Sequence, residues 1–262
     1  MKALRILFWV LYLFIASFVF TSCNKDNGKS RLTVYLTDAP AAYDAVNIEI
    51  VRMEIKATSE DGENGWQQLP LNAGIYNLLD FTNGMDTLLS TVELPAGKVS
   101  QLRLILGHNN TIVVNGTSME LPLETPSAQT SGLKFNIHAD LVEGVTYKLW
   151  IDFDAARSIV QEGTGDYKLK PVLRTFTEAT SGAIKGNVQP VAAGAFVSAI
   201  AGTDTLSALP DGVTGNYLIR GVPPGTWKVV ADGNNGYNDV TVDNIAVILG
   251  QVSVVDTITL VQ

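Results

Sequence analysis

Arg31-Leu32-Thr33-Val34-Tyr35-Leu36-Thr37, closed by Asp38-Ala39-Pro40, is the stretch from which the fold is read. Leu32, Val34 and Leu36 fall on one parity, with Thr33 and Tyr35 on the other. That alternation predicts a strand with one buried face. Proline lacks the donor that a sheet ladder needs, so Pro40 marks the strand's end. Asp38 is expected to satisfy the backbone donors of the turn that follows.

The same period recurs along the chain. Val46, Ile48 and Ile50 share a parity, whereas Met53 and Ile55 take the other. The change of phase predicts a β-bulge near Val51-Arg52. Asp61-Gly62-Glu63-Asn64-Gly65 reads as a turn cluster, and Trp66 to Leu69 as a short returning strand. Leu102, Leu104 and Leu106 alternate with Gln101, Arg103 and Ile105. Asn115-Gly116 is a hairpin signal, because both central residues of its turn type need φ > 0. Leu133, Phe135 and Ile137 oppose Lys134, Asn136 and His138, and a strand is expected over Tyr147 to Phe153. Ala155 to Val160 reads as one helical turn, and Tyr167 to Phe176 as a last strand. Many short strands separated by turns specify an all-β class. The expected architecture is two antiparallel β-sandwich modules in tandem, at residues 31–178 and 182–262, joined by Glu178-Ala179-Thr180-Ser181-Gly182.

Composition narrows the function classes. The 262 residues carry a formal charge of −8. Lys2 and Arg5 are the only charged residues among the first 22, so the remainder is more acidic still. No basic stripe is present, which excludes a nucleic-acid partner. The high apolar fraction, 46%, is that of a folded chain rather than a disordered one. A single cysteine, Cys23, leaves no intrachain disulfide, so the modules must stand on their hydrophobic cores.

Cys23 has its own context. Lys2 and Arg5 precede an apolar run from Ile6 to Phe20, shorter than the roughly 20 residues that span a bilayer. A positive amino end, a short apolar core and small residues before the cut describe an export signal over residues 1–22. Phe20-Thr21-Ser22-Cys23 resembles the lipobox of bacterial lipoproteins. The resemblance implies cleavage before Cys23, a diacylglyceryl thioether on its sulfur and an acylated new amino terminus. Several acyl chains anchor stably at ~0.8 kcal/mol per buried CH₂. Residues 23–30 then form a lipidated polar tether, and seven residues reach at most about 25 Å. The expected location is the cell envelope, in the outer membrane, facing the periplasm or the cell surface.

Tyr35-Leu36-Thr37-Asp38-Ala39-Pro40, Ser131-Gly132-Leu133-Lys134, Asp152-Phe153-Asp154-Ala155-Ala156-Arg157-Ser158-Ile159-Val160 and Leu169-Lys170-Pro171-Val172 together resemble domain-of-unknown-function family 4382. That family implies an extracytoplasmic β-rich domain and carries no catalytic residues. Gly215-Asn216-Tyr217-Leu218-Ile219, Gly221-Val222-Pro223-Pro224-Gly225-Thr226-Trp227 and the Val252 to Leu260 end resemble the carboxypeptidase regulatory-like domain. This is a small transthyretin-like sandwich, and it implies an accessory role.

Few residues suggest chemistry. Asp152 and Asp154 lie two apart on a predicted strand and project from one face with Trp150, and Asp38 could join them in a ligand patch. The two carboxylates beside an aromatic could serve a glycosidase or bind calcium, but no EF-hand-like loop is present. The competing expectation is a polar sheet face with Lys134 paired across strands. His108 and His138 are too few and too scattered for zinc. No serine elbow or phosphate loop is found. Trp66, Trp150 and Trp227 are expected in cores. No cofactor is implied. The leading expectation is a non-enzymatic, membrane-anchored lipoprotein for adhesion, assembly or ligand presentation, with a protein or glycan as its ligand. The alternatives are a carbohydrate-binding accessory protein of a polysaccharide-uptake system, and a hydrolase using Asp152 or Asp154.

Overall fold

A computed structural model describes residues 28–57, 65–163, 165–178 and 180–262. Cys23 with its export signal, and Asp61, Gly62, Glu63 and Asn64 of the expected turn cluster, lie outside the described residues.

The first body contains thirteen strands among the described residues. They are β1 (Lys29–Ala39), β2 (Ala45–Ala57), β3 (Trp66–Gln68), β4 (Gly74–Asn77), β5 (Thr87–Pro95), β6 (Gly97–Leu106), β7 (Thr111–Val114), β8 (Thr117–Glu120), β9 (Leu133–Leu141), β10 (Thr146–Asp154), β11 (Ile159–Gln161), β12 (Tyr167–Leu169) and β13 (Leu173–Phe176). Two four-residue helices, α1 (Ser127–Thr130) and α2 (Ala155–Ser158), interrupt them. One sheet has the order β13-β10-β1-β5, a second has β8-β7-β2-β6-β9 with β3 and β4 also paired to β2, and β11 and β12 form a two-stranded third. Leu32, Val34 and Leu36 of β1 and Leu149, Ile151 and Phe153 of β10 meet Ile48, Ile50 and Met53 of β2 and Leu102, Leu104 and Leu106 of β6 in one core. Burying side chains of this kind stabilises by about 1.5–3 kcal/mol each relative to exposure.

The second body has β14 (Gly182–Gln189), β15 (Phe196–Ala201), β16 (Asp204–Ala208), β17 (Asn216–Val222), β18 (Gly225–Asp232), β19 (Val240–Val247), β20 (Val252–Val254) and β21 (Ile258–Thr259). Its sheets run β17-β14-β20, with β21 also on β14, and β16-β15-β18-β19. Ile184, Val188, Tyr217 and Ile219 face Val197, Ala199, Trp227 and Val229 in a separate core.

The chain is all-β. The pairing is mixed, however, where purely antiparallel sheets were expected. β1 runs parallel to β10 from Arg31↔Thr146 to Ala39↔Asp154, while β5 pairs antiparallel on its other side. β14 likewise takes β20 and β21 in parallel. Parallel neighbours require a long crossover, and neighbours of this kind leave no hairpin signal. β1 also begins at Lys29, so Lys29 and Ser30 belong to the sheet rather than to the tether. Ser30 is buried, and its hydroxyl donates to the Val145 carbonyl at 2.8 Å.

Candidate functional site: the junction between the two bodies

β10 is buried on both faces from Leu149 to Phe153. One parity fills the first core. The other, Trp150 and Asp152, lies on the outer face beside Tyr35 and Thr37 of β1 and Arg174 and Phe176 of β13. The Trp150 ring is stacked between Tyr35, with centroids 5.4 Å apart, and Phe176, at 5.6 Å. An aromatic column is thus laid across three strands. The second body covers it, which is why an outer face is apolar here.

Two arginines fasten the cover. The Arg174 guanidinium sits 2.5 Å from Asp152 Oδ2 and lies over the Phe176 ring at 5.2 Å. It also donates to the carbonyls of Gly221, at 2.7 Å, and Arg220, at 2.9 Å, on β17. Arg220 donates in return to Asp86 Oδ2 at 2.7 Å, and the Trp150 indole N–H donates to the same oxygen at 2.9 Å. Asn83 adds a third contact. Its Nδ2 donates to the Asn216 carbonyl at 3.1 Å, and its Oδ1 accepts from the Leu218 N–H at 2.6 Å. Gly221, at φ +64°, holds its backbone against the Phe176 ring. A Cβ there would stand 2.5 Å from ring carbons.

The carboxylates expected to form a ligand patch are found at the adjoining end of β1 and β10. Asp38, which is 6% exposed, does not serve a local turn. β1 continues through Ala39, and Asp38 Oδ1 accepts from the Ala155 N–H at 3.0 Å, 117 residues away. Burial is the main reason its carboxyl titrates well above the usual range. The Ala155 N–H pulls the other way, and the nearby charges of Asp152 and Asp154 add to the rise. Asp154 caps α2 by accepting from the Arg157 N–H at 2.9 Å. Burial raises its pKa also, opposed by that N–H and by the Arg157 guanidinium. The three acids therefore do gather. Asp38 Oδ2 and Asp152 Oδ1 are buried without a hydrogen-bond partner among the described residues.

The remaining candidates lie elsewhere. Lys134 does not pair with Asp152. It is in the other sheet, beside Arg103 and over the Trp66 ring. His108 Nδ1 pairs with Gln129 at 2.9 Å, and His138 is within β9. Trp150 and Trp227 are buried as expected, while Trp66 is half-buried beneath Arg103. Among the described residues no group of three or more His, Cys, Asp or Glu side chains is arranged to hold a metal. No described helix is long and apolar enough to cross a membrane.

Sequence reasoning passed over Arg174, Arg220, Asp86 and Asn83. Arg174 and Phe176 share a parity on one short strand, and that pairing of a cation with an aromatic was the one signal available.

Comparison with known proteins bears on the first body. Residues 29–171 match the family described as "Domain of unknown function (DUF4382)". The chain belongs to this family. The DUF4382 segment thus comprises β1 to β12 and stops short of β13, which carries Arg174. No curated protein matches. Among solved structures, the Bacillus anthracis TIE protein is 12% identical with a TM-score of 0.22, over 90% of this chain and 35% of its own length. The minor pilin of Streptococcus agalactiae is 9% identical with a TM-score of 0.23, over 88% and 96%. A fimbrial protein from Bacteroides ovatus is 11% identical with a TM-score of 0.24, over 89% and 50%. The chain thus spans about a third of the first of these. These likenesses carry no functional argument.

Proposed function

We propose that this DUF4382 chain is a lipoprotein of the outer membrane, anchored through Cys23, whose two β bodies act in adhesion or assembly rather than in catalysis. The anchor rests on the Ile6–Phe20 run and the Phe20-Thr21-Ser22-Cys23 sequence. The second body, residues 182–262, is read as a carboxypeptidase regulatory-like module on its Gly-Asn-Tyr and Pro-Pro-Gly-Thr-Trp segments.

One observation carries the non-catalytic reading. Asp152, the carboxylate around which a hydrolytic site would be built, is 4% exposed and faces Arg174. The same guanidinium holds the second body by two carbonyls. A general acid or base needs a path to substrate and a proton of its own to exchange. Asp152 has an interbody strut in place of both. Asp154 is engaged as a helix cap, and Asp38 on the Ala155 amide.

The experiment is metabolic labelling with palmitate in a deletion strain carrying either the wild type or Cys23→Ala, followed by fractionation and amine-reactive cross-linking of intact cells. Label, membrane retention and discrete cross-linked adducts are expected for the wild type, with all three lost in Cys23→Ala. Unchanged label and retention in the variant would remove the anchor. Turnover of an envelope polymer by the purified chain would remove the non-catalytic reading. Protease shaving of intact cells decides which face of the outer membrane the bodies occupy.

A further inference from the structure

On one flank of the contact between the bodies lies a cleft of about 390 Å³. One wall comes from the first body, with Arg157 on α2 and Thr175 on β13. The other comes from the β15–β16 turn and the start of β16, with Thr203, Asp204 and Thr205. The buried Trp227 closes the floor, with its indole N–H on the Pro223 carbonyl at 2.9 Å.

We infer that this cleft binds a uronic acid unit, a sugar carrying one carboxylate among its hydroxyls. The cation is Arg157. Its guanidinium is 3.9 Å from Asp154, beyond hydrogen-bond length, and its side chain is 68% exposed. It lines the cleft, paired with Asp154 only at this longer range, so its forked donors are open to a carboxylate that takes two bonds. Arg174, the second guanidinium at the wall, is engaged with Asp152 and with two carbonyls. Among the described residues, Arg157 is thus the cation left to an incoming anion.

The opposite wall sets the rest of the ligand. The hydroxyls of Thr175, Thr203 and Thr205 make no hydrogen bond within the described residues, and Asp204 is exposed beside them. Hydroxyls and a carboxylate together accept from and donate to the hydroxyls of a sugar ring. Asp204 also favours a monoanion over a phosphorylated ligand. A dianion would meet one cation and one opposing carboxylate, in a chain already at −8. A monoanionic polyol satisfies both walls. A volume near the lower end of small-molecule sites suits one or two sugar rings. This inference is independent of the lipid anchor, since the residues it rests on belong to the two bodies.

The test is calorimetric titration of the full chain, in detergent micelles, with three probes: a galacturonic acid disaccharide, its neutral galactose counterpart and glucose 6-phosphate. Arg157→Ala and Asp204→Asn are titrated alongside, with circular dichroism as the check on folding. The uronate is expected to bind at least about tenfold more tightly than the neutral sugar. Arg157→Ala should abolish that preference, and Asp204→Asn should weaken both sugars while improving the phosphate. Equal binding of the charged and neutral sugars, preference for the phosphate by the wild type, absence of binding at about 20 mM, or an unchanged preference in folded Arg157→Ala would each overturn the assignment.

Discussion

Asn83 accepts a hydrogen bond from the Leu218 backbone N–H at 2.6 Å. With Nδ2 on the Asn216 carbonyl, its side-chain amide pairs with β17 much as a neighbouring strand would. β17 is an edge strand with β14 on its other side. Unpaired strand edges invite pairing with other chains. The first body blunts this one with two side chains, Asn83 and Arg174, rather than with a strand.

Asn83→Ala should therefore loosen the edge. Two hydrogen bonds are lost, and alanine is strained at the φ of +55° that asparagine tolerates here. A loss of about 1–3 kcal/mol is expected in urea unfolding. Hydrogen exchange at the Leu218 amide should accelerate more than exchange at Ile48 in the first core. Equal acceleration at both would mean that Asn83 acts on global stability and not on the edge.

Arg174→Ala leaves Asp152 buried without its cation, a change that costs about 3–5 kcal/mol. Arg174→Lys keeps the charge but lacks the fork that reaches both carbonyls and Asp152. It should recover only part of the loss. The double variant Asp152→Asn, Arg174→Met should be more stable than Arg174→Ala, since no lone charge is stranded. A chemical denaturation series over the four proteins checks the order.

Gly221→Ala meets two obstacles at once, a left-handed backbone and a Phe176 ring in the space a Cβ would take. It should destabilise by more than about 1 kcal/mol. The near-ultraviolet dichroism of the Tyr35–Trp150–Phe176 column should change with it. Gly116→Ala, also at positive φ but with nothing near its Cβ, serves as the comparison. A similar loss at both positions would show that the ring contact adds nothing.

Asp38 gives a pH dependence of definite sign. Its folded pKa is raised, so the folded state holds a proton that the unfolded state has released. Its contribution is present in full below the unfolded value of about 3.9 and is lost as pH rises through the folded value. Asp154 acts in the same direction. Asp38→Asn keeps the Ala155 contact without the charge. Its advantage in Tm over the wild type should grow from pH 4 to pH 8. An advantage that shrinks over that range would show that the carboxylate is stabilised where it stands.

The local features were legible because short-range geometry writes them into the chain. The bulge expected near Val51-Arg52 appears as a register shift between Ile50 and Arg52 against β6. Asn115 and Gly116 take φ of +51° and +74° between β7 and β8, as the hairpin signal required. The helical turn after Asp154 is α2. The site was less legible. Asp38 was given a local turn, yet its partner is on another strand brought alongside by parallel pairing. The cross-strand pairing expected of Lys134 on a polar face with Asp152 does not form, because the two lie in different sheets. Asn83 gave no signal, because nothing in a Thr-Asn-Gly-Met stretch states that its amide will lie along a strand edge of the other body. Periodicity reports which face is buried and is silent about what buries it.

The place of β1 has a mechanical consequence. It is the first strand after Cys23 in sequence, and it lies inside its sheet, between β5 and β10, paired on both sides from Arg31 to Leu36. If Cys23 is the anchor proposed above, a pull entering at Lys29 acts along the strand axis. Both ladders are then loaded in shear, and their hydrogen bonds share the load rather than parting one after another. An edge strand in the same position would unzip. Under the proposed anchorage, tension between a bilayer and whatever the bodies hold would thus be met first by a strand buttressed on both sides.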